Sequence, residues 1–180
     1  MAERLKIHDL YFKPFLSAAQ IQARVADLGQ RLSEDYAGKR PLFIAVLNGA
    51  FVFTADLARH CSLDADFTFV RLSSYQGTQS SGTVKKMVGL KTPVDDRHII
   101  LVEDIIDTGR TLHYFLPELR RQNPASLAVV TLLSKPDARQ VPFEADYTGF
   151  DIPNKFVVGY GLDYDELGRN LPAIYQLDES

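Results

Sequence analysis

Three short stretches of this chain offer almost nothing to water: LFIAVL (Leu42 to Leu47), the HIILV that opens HIILVED (His98 to Asp104), and LAVVTLLS (Leu127 to Ser134). Each is too short to span a membrane and lacks the polar alternation of a strand with one wet face, so each reads as a strand covered on both sides. The segments between them have helical spacing. SAAQIQARVADLGQRLSEDYAG begins with Ser17 and Gln20 at capping-box separation, sets Ile21, Val25, Leu28 and Leu32 on one face, and closes at Gly38. A second helix is expected from Phe51 to about His60, and a third carries Leu112, Phe115, Leu116 and Leu119. KFVVGY (Lys155 to Tyr160) reads as a fourth, shorter strand. Buried strands alternating with helices predict an α/β fold, a mostly parallel sheet flanked by helices.

A chain of 180 residues, 46% hydrophobic and 24% charged, suits one domain with a genuine core, spanning 1–180. Twenty Lys and Arg against 23 Asp and Glu, a net charge of -3, argue against a broad nucleic-acid footprint. The single cysteine, Cys61, cannot form an internal disulfide, and the start MAERLKIHDL has charges where a signal peptide needs an apolar run. The expectation is a cytoplasmic protein with neither nucleic acid nor membrane as partner. His8, His60, His98 and His113 form no metal-ligand or catalytic pattern and are expected to be structural, as is Cys61.

Ligands of such sheets bind beyond the carboxyl ends of the strands. Three loops with unusual chemistry leave those ends: LNGA, EDIIDTGRT and SKPD. In VEDIIDTGRT, Glu103 and Asp104 end an apolar run, Asp107 follows three residues later, and Thr108-Gly109 leads into a helix. That turn offers backbone N–H groups, hydroxyls and the positive end of a helix dipole to an anion. A phosphate there would be repelled by three carboxylates unless they face another part of the same ligand. Vicinal hydroxyls donate to carboxylates, and Mg²⁺ bridges hydroxyl and phosphate oxygens, so the loop describes a ribose phosphate. Helix capping alone would explain Asp107 and Thr108 but not the Glu103-Asp104 pair. Two rival phosphate loops fail: no G-x-x-x-x-G-K-[ST] occurs, and VVGYGLDY has Tyr164 where a dinucleotide fingerprint needs its third glycine.

VEDIIDTGRT resembles the phosphoribosyl diphosphate (PRPP) motif of type I phosphoribosyltransferases. From Leu42 to Pro172 the chain is similar to the hypoxanthine-guanine phosphoribosyltransferases: VLNGAFVF to their pyrophosphate loop, SSYQGTQSSG to their mobile loop, LLSKP to their purine-contacting lysine strand, and DIPNKFVVGYGLDYDELGRNLP to their base-binding segment. The resemblance implies the type I phosphoribosyltransferase fold with a small hood, a mobile loop at about 73–88 beginning with Ser74 and Tyr75, and a base-binding segment at about 150–172.

It further implies that Glu103 and Asp104 bind the ribose hydroxyls and, with Asp163, Mg²⁺. Thr108, Gly109, Arg110 and Thr111 would hold the 5'-phosphate; Leu47, Asn48, Gly49 and Ala50, with Arg169, would meet the pyrophosphate. Asp107 would sit against purine N7, as a general base if its pKa is raised and otherwise electrostatically. Lys135 would donate to the 6-oxo group, Phe156 would stack on the purine, and the Val157 backbone would contact its edge. Many relatives carry Lys where this chain has Asn48, which removes a positive charge near the diphosphate.

The implied activity is purine salvage: a pentosyltransferase moving 5-phosphoribosyl from PRPP to N9 of hypoxanthine or guanine, as a homodimer or homotetramer. A relative acting on xanthine is the nearest rival. A PRPP-binding regulator is a rival of another class; it predicts a basic face or an added DNA-binding segment, and the acidic net charge counts against it.

Overall fold

The computed structural model describes residues 4–76 and 83–179, without the side chains of 72–76 and 83–88. The chain opens with β1 (Leu5–Ile7) and β2 (Leu10–Leu16), then α1 (Ala18–Asp35), β3 (Leu42–Leu47), α2 (Phe51–His60), β4 (Asp66–Gln76), β5 (Thr83–Val88) and β6 (His98–Ile106). It continues through α3 (Arg110–Arg120), β7 (Ser126–Ser134), β8 (Tyr147–Asp151), β9 (Val157–Val158) and β10 (Ile174–Leu177).

Ser17 caps α1 as its spacing predicts: the hydroxyl accepts from the Gln20 amide while the Gln20 side chain accepts from the Ser17 amide. Ile21, Val25, Leu28 and Leu32 are all fully buried. The helix stops at Asp35, three residues before Gly38, whose φ of +73° turns the chain away.

The large sheet has the order β5-β4-β3-β6-β7-β8, with β4, β3, β6, β7 and β8 parallel and β5 antiparallel at one edge. Alternate residues of the central strands supply two cores. Phe43, Ala45, Ile100 and Val102 pack under α1 and α2, while Leu42, Ile44, Ile99 and Leu101 pack against Leu112, Leu116 and Leu119 of α3. Both faces being covered is why these strands read as unbroken apolar runs.

From β3 the chain crosses to β4 on one side, and from β6 it crosses to β7 on the other. β3 and β6 are neighbours, so the sheet's switch point lies between their carboxyl ends, at Leu47 and Ile106.

One expectation needs correction. KFVVGY is not a fourth strand of the parallel sheet: only Val157 and Val158 extend, and they join a separate antiparallel sheet of order β1-β2-β10-β9. Gly159, at φ +102°, bends the chain out of the strand, and a Cβ there would sit 2.1 Å from the Ala173 carbonyl oxygen. The parallel strand beyond β7 is instead β8, packed so closely that a Cβ on Gly149 would lie 2.4 Å from the Leu132 carbonyl oxygen. The small sheet is the hood, with Phe12, Ile7 and Val158 at its centre.

Candidate functional site

Two loops leave the switch point and close on each other. Leu47 to Ala50 follows β3, and Asp107 to Gly109 links β6 to α3. Between them lies a cavity of about 300 Å³ lined by Leu47, Glu103, Asp104, Asp107, Thr108 and Thr111 among others. Gly49 sits so close to Asp104 that a Cβ would fall 1.6 Å from its Oδ2. A third segment presses from the hood: a Cβ on Gly161 would lie 2.2 Å from the Gly49 carbonyl oxygen. Three backbones therefore meet at this point only because two of them carry no side chain.

Burial pushes the Asp104 carboxyl up to about 6, against the lowering effect of the Ile105 amide it accepts from and of the Arg169 charge. Glu103 is buried within β6, 6% exposed. Asp107 is half exposed and accepts from Lys135 Nζ at 3.0 Å; the lysine itself is only 6% exposed. Residues 28 apart in sequence are thus joined across the ends of two adjacent parallel strands, β6 and β7.

Gly109 takes the left-handed conformation, φ +79°, as the cap of α3, and Thr108 Oγ1 accepts from the Arg110 amide at 3.4 Å. Arg110 is exposed and Thr111 lines the cavity.

In the segment expected to bind the base, Phe156 is 40% exposed, with its ring 6.0 Å from that of Phe12 and 5.8 Å from that of Tyr164. It is a shelf, not a core aromatic. Val157 beside it is buried. Arg169 donates to the Gly161 carbonyl at 2.9 Å and pairs with Asp163 at 2.8 Å, so these two site candidates are brought together. Ser74 and Tyr75 have their backbone in β4; their side chains, and residues 77–82 of the expected mobile loop, lie outside the described residues.

Two arginines at the site escaped sequence reasoning. Arg71, opposite Leu47 in the β3–β4 ladder, donates to Asn48 Oδ1 at 3.0 Å and so brings a guanidinium to the loop where the lysine is missing. Arg139, in the loop after Lys135, reaches the carbonyls of Ile106 and Asp107. Neither lies in a periodic pattern. Cys61 and the histidines stay away from the cavity; burial pushes the Cys61 thiol up to about 11, and His98 contacts Ser126 at 2.7 Å. No helix among the described residues is long and apolar enough to cross a membrane.

A phosphoribosyl transferase domain matches residues 15–165. The chain is 45% identical to the hypoxanthine-guanine phosphoribosyltransferase of Streptococcus thermophilus, with 93% of each chain covered. It is 47% identical to the enzyme of the same name from Mycobacterium avium, over 91% of this chain and 84% of that one. The crystal structure of a hypoxanthine phosphoribosyltransferase from Staphylococcus aureus superposes with a TM-score of 0.86 at 37% identity, over 92% of this chain and 91% of the other. The likeness runs through both sequence and fold, and the chain belongs to the hypoxanthine-guanine phosphoribosyltransferases.

Proposed function

We propose that the protein transfers the 5-phosphoribosyl group of PRPP to N9 of hypoxanthine or guanine, releasing pyrophosphate and forming IMP or GMP. The observation that carries this reading is the Lys135–Asp107 pair at the mouth of the acid-lined cavity. An ammonium donates to a 6-oxo group but has no acceptor for the 6-amino group of adenine. Asp107 is in reach of the same base, on its N7 side, where a carboxylate balances positive charge appearing on the purine. The names of the relatives point to the same substrates.

Bond breaking to the diphosphate runs ahead of bond making, so the residues have three tasks. Glu103 and Asp104 accept from the ribose hydroxyls, the turn from Thr108 to Thr111 holds the 5'-phosphate, and Leu47, Asn48, Gly49 and Arg169 face the diphosphate. Phe156 offers its ring to the purine face and Val157 its backbone to the purine edge.

The donors support Mg²⁺. They are hard carboxylate oxygens, the half-buried Asp104 is desolvated so that a cation would offset its charge, and the nearby Asp163 charge adds to that demand. Among the described residues no three acidic, histidine or cysteine side chains stand close enough to hold an ion by themselves, so an ion here would need substrate oxygens besides the carboxylates. Glu103, Asp104 and Asp163 would hold the ion, which when bound neutralises charge on the diphosphate.

A homodimer or homotetramer in the cytoplasm belongs to the same reading. Exposed Phe67 and Phe69, alternate residues on one face of β4, support an association surface.

Incubation with PRPP and Mg²⁺ should convert hypoxanthine and guanine to nucleotides and leave adenine unchanged. PRPP binding without conversion of any purine would transfer the assignment to a regulator. Arg71→Ala should raise KM for PRPP by roughly 5- to 10-fold with kcat little changed, because the charge acts on the bound diphosphate before chemistry. Steady-state kinetics with PRPP varied checks it; an unchanged KM would remove Arg71 from the site.

A further inference from the structure

The turn that would receive the 5'-phosphate has its carbonyls held from behind by a single segment. Arg139 donates through Nη1 to the carbonyl oxygens of both Ile106 and Asp107, through Nη2 to Ser134 Oγ at 3.0 Å, and through Nε to the Phe143 carbonyl at 3.3 Å. The amides of Gln140 and Val141 hold the next carbonyl, that of Thr108, at 3.0 and 3.2 Å. The Lys135 amide also donates to the Ile106 carbonyl at 2.9 Å. Packing is equally close: a Cβ on Gly109 would come within 3.0 Å of the Val141 carbonyl oxygen and 3.6 Å of Arg139 Cδ.

In a trans peptide the carbonyl and the following N–H point in opposite directions. Drawing the carbonyls of Asp107 and Thr108 back toward residues 139–141 therefore turns the N–H groups of Thr108 and Gly109 the other way. Successive amides turned to one side form an anion-receiving concavity. The guanidinium also bridges the end of β6 to Ser134, the residue before Lys135, so it ties the two loops that carry Asp107 and Lys135. Asp107 and Asp151 are the acidic groups whose charges face it.

We infer that Arg139 is a positioning residue: it touches no substrate, but by gripping the Ile106 and Asp107 carbonyls it aims the phosphate-receiving amides and fixes Asp107 relative to Lys135. Lysine cannot replace it fully, because its point charge lacks the planar fork that spans two carbonyls and a hydroxyl at once. The inference rests on the phosphoribosyl-transfer reading above.

The test compares the native protein with Arg139→Met and Arg139→Lys, titrating two ligands by calorimetry: ribose 5-phosphate, and inorganic pyrophosphate with Mg²⁺. Displacement of the turn by a fraction of an ångström should weaken ribose 5-phosphate binding by about 10-fold or more in Arg139→Met, with kcat falling alongside. Pyrophosphate binding, which belongs to the loop after β3, should stay unchanged, and Arg139→Lys should fall between native and Met. Ribose 5-phosphate binding within about twofold of native in Arg139→Met would overturn the inference, since misplaced amides cannot retain their affinity. Equal loss of both ligands would overturn it too, by marking a general loosening of the fold. Failure of the native protein to bind ribose 5-phosphate would instead bring down the functional reading, and the inference with it.

Discussion

Asp107→Asn is expected to lower kcat for hypoxanthine conversion by about 10²-fold or more, the lower end of what a positioned acid–base or charge-stabilising group contributes. The amide keeps the size of the carboxylate and can still accept from Lys135, so the fold survives while the negative charge is lost. Lys135→Met tests the other half of the pair. It removes the only donor we assign to the 6-oxo group, and it leaves behind a carboxylate whose side chain is 47% exposed and can be hydrated. Turnover of hypoxanthine and guanine should fall by about 10²-fold, and the preference for 6-oxopurines over adenine should shrink, because a site built to donate rejects the wrong partner by leaving that donor unsatisfied. Steady-state kinetics on hypoxanthine, guanine and adenine decides the matter. If both variants keep more than half of native turnover, the pair is structural.

The effect of the Lys135 change on stability should be small or favourable, in contrast to its effect on rate. Lys135 is only 6% exposed, and taking its charge out of water offsets much of what the ion pair returns. A thermal melt at matched conditions would show it.

Gly49→Ala should be nearly as damaging to activity, by a different route. A Cβ built there falls 1.6 Å from Asp104 Oδ2 and 2.5 Å from its Cγ. The carboxylate is short and its Oδ1 is held by the Ile105 amide at 2.8 Å, so it cannot swing aside without losing that bond. Nor can the loop retreat, since Gly161 already lies against the Gly49 carbonyl. We expect kcat/KM for PRPP to fall by about 10²-fold, as is typical when reacting groups shift by around an ångström. Gly38→Ala is the control. Its φ is +73° but nothing lies within 4 Å of the added carbon, so it should lose about 1 kcal/mol of stability through backbone strain and leave kcat/KM untouched. Unaltered kinetics in Gly49→Ala would show that Asp104 does not need its observed position.

Much of this was legible before any coordinates. α1, α2 and α3 follow the spacing of Ile21, Val25, Leu28 and Leu32, the run from Phe51, and the spacing of Leu112, Phe115, Leu116 and Leu119. LFIAVL is β3 residue for residue, and its lack of polar alternation already implied helices on both faces. The acid pair and the Thr-Gly turn were likewise readable, because they are contiguous and their chemistry is local.

The amino-acid order determined which segments are helix or buried strand and which loop joins an acid pair to a Thr-Gly turn, since periodicity, capping and neighbouring charges act over a few residues. Tertiary structure decided what depends on distant partners. KFVVGY has the hydrophobicity of a core strand, yet Gly159 and pairing with β10 send it to the hood. Lys135 meets Asp107, Arg71 meets Asn48 and Arg139 grips Ile106 and Asp107 only because parallel strands set their carboxyl ends side by side. A hydrogen bond between residues 23 to 33 positions apart leaves no mark in local sequence; strand order creates it.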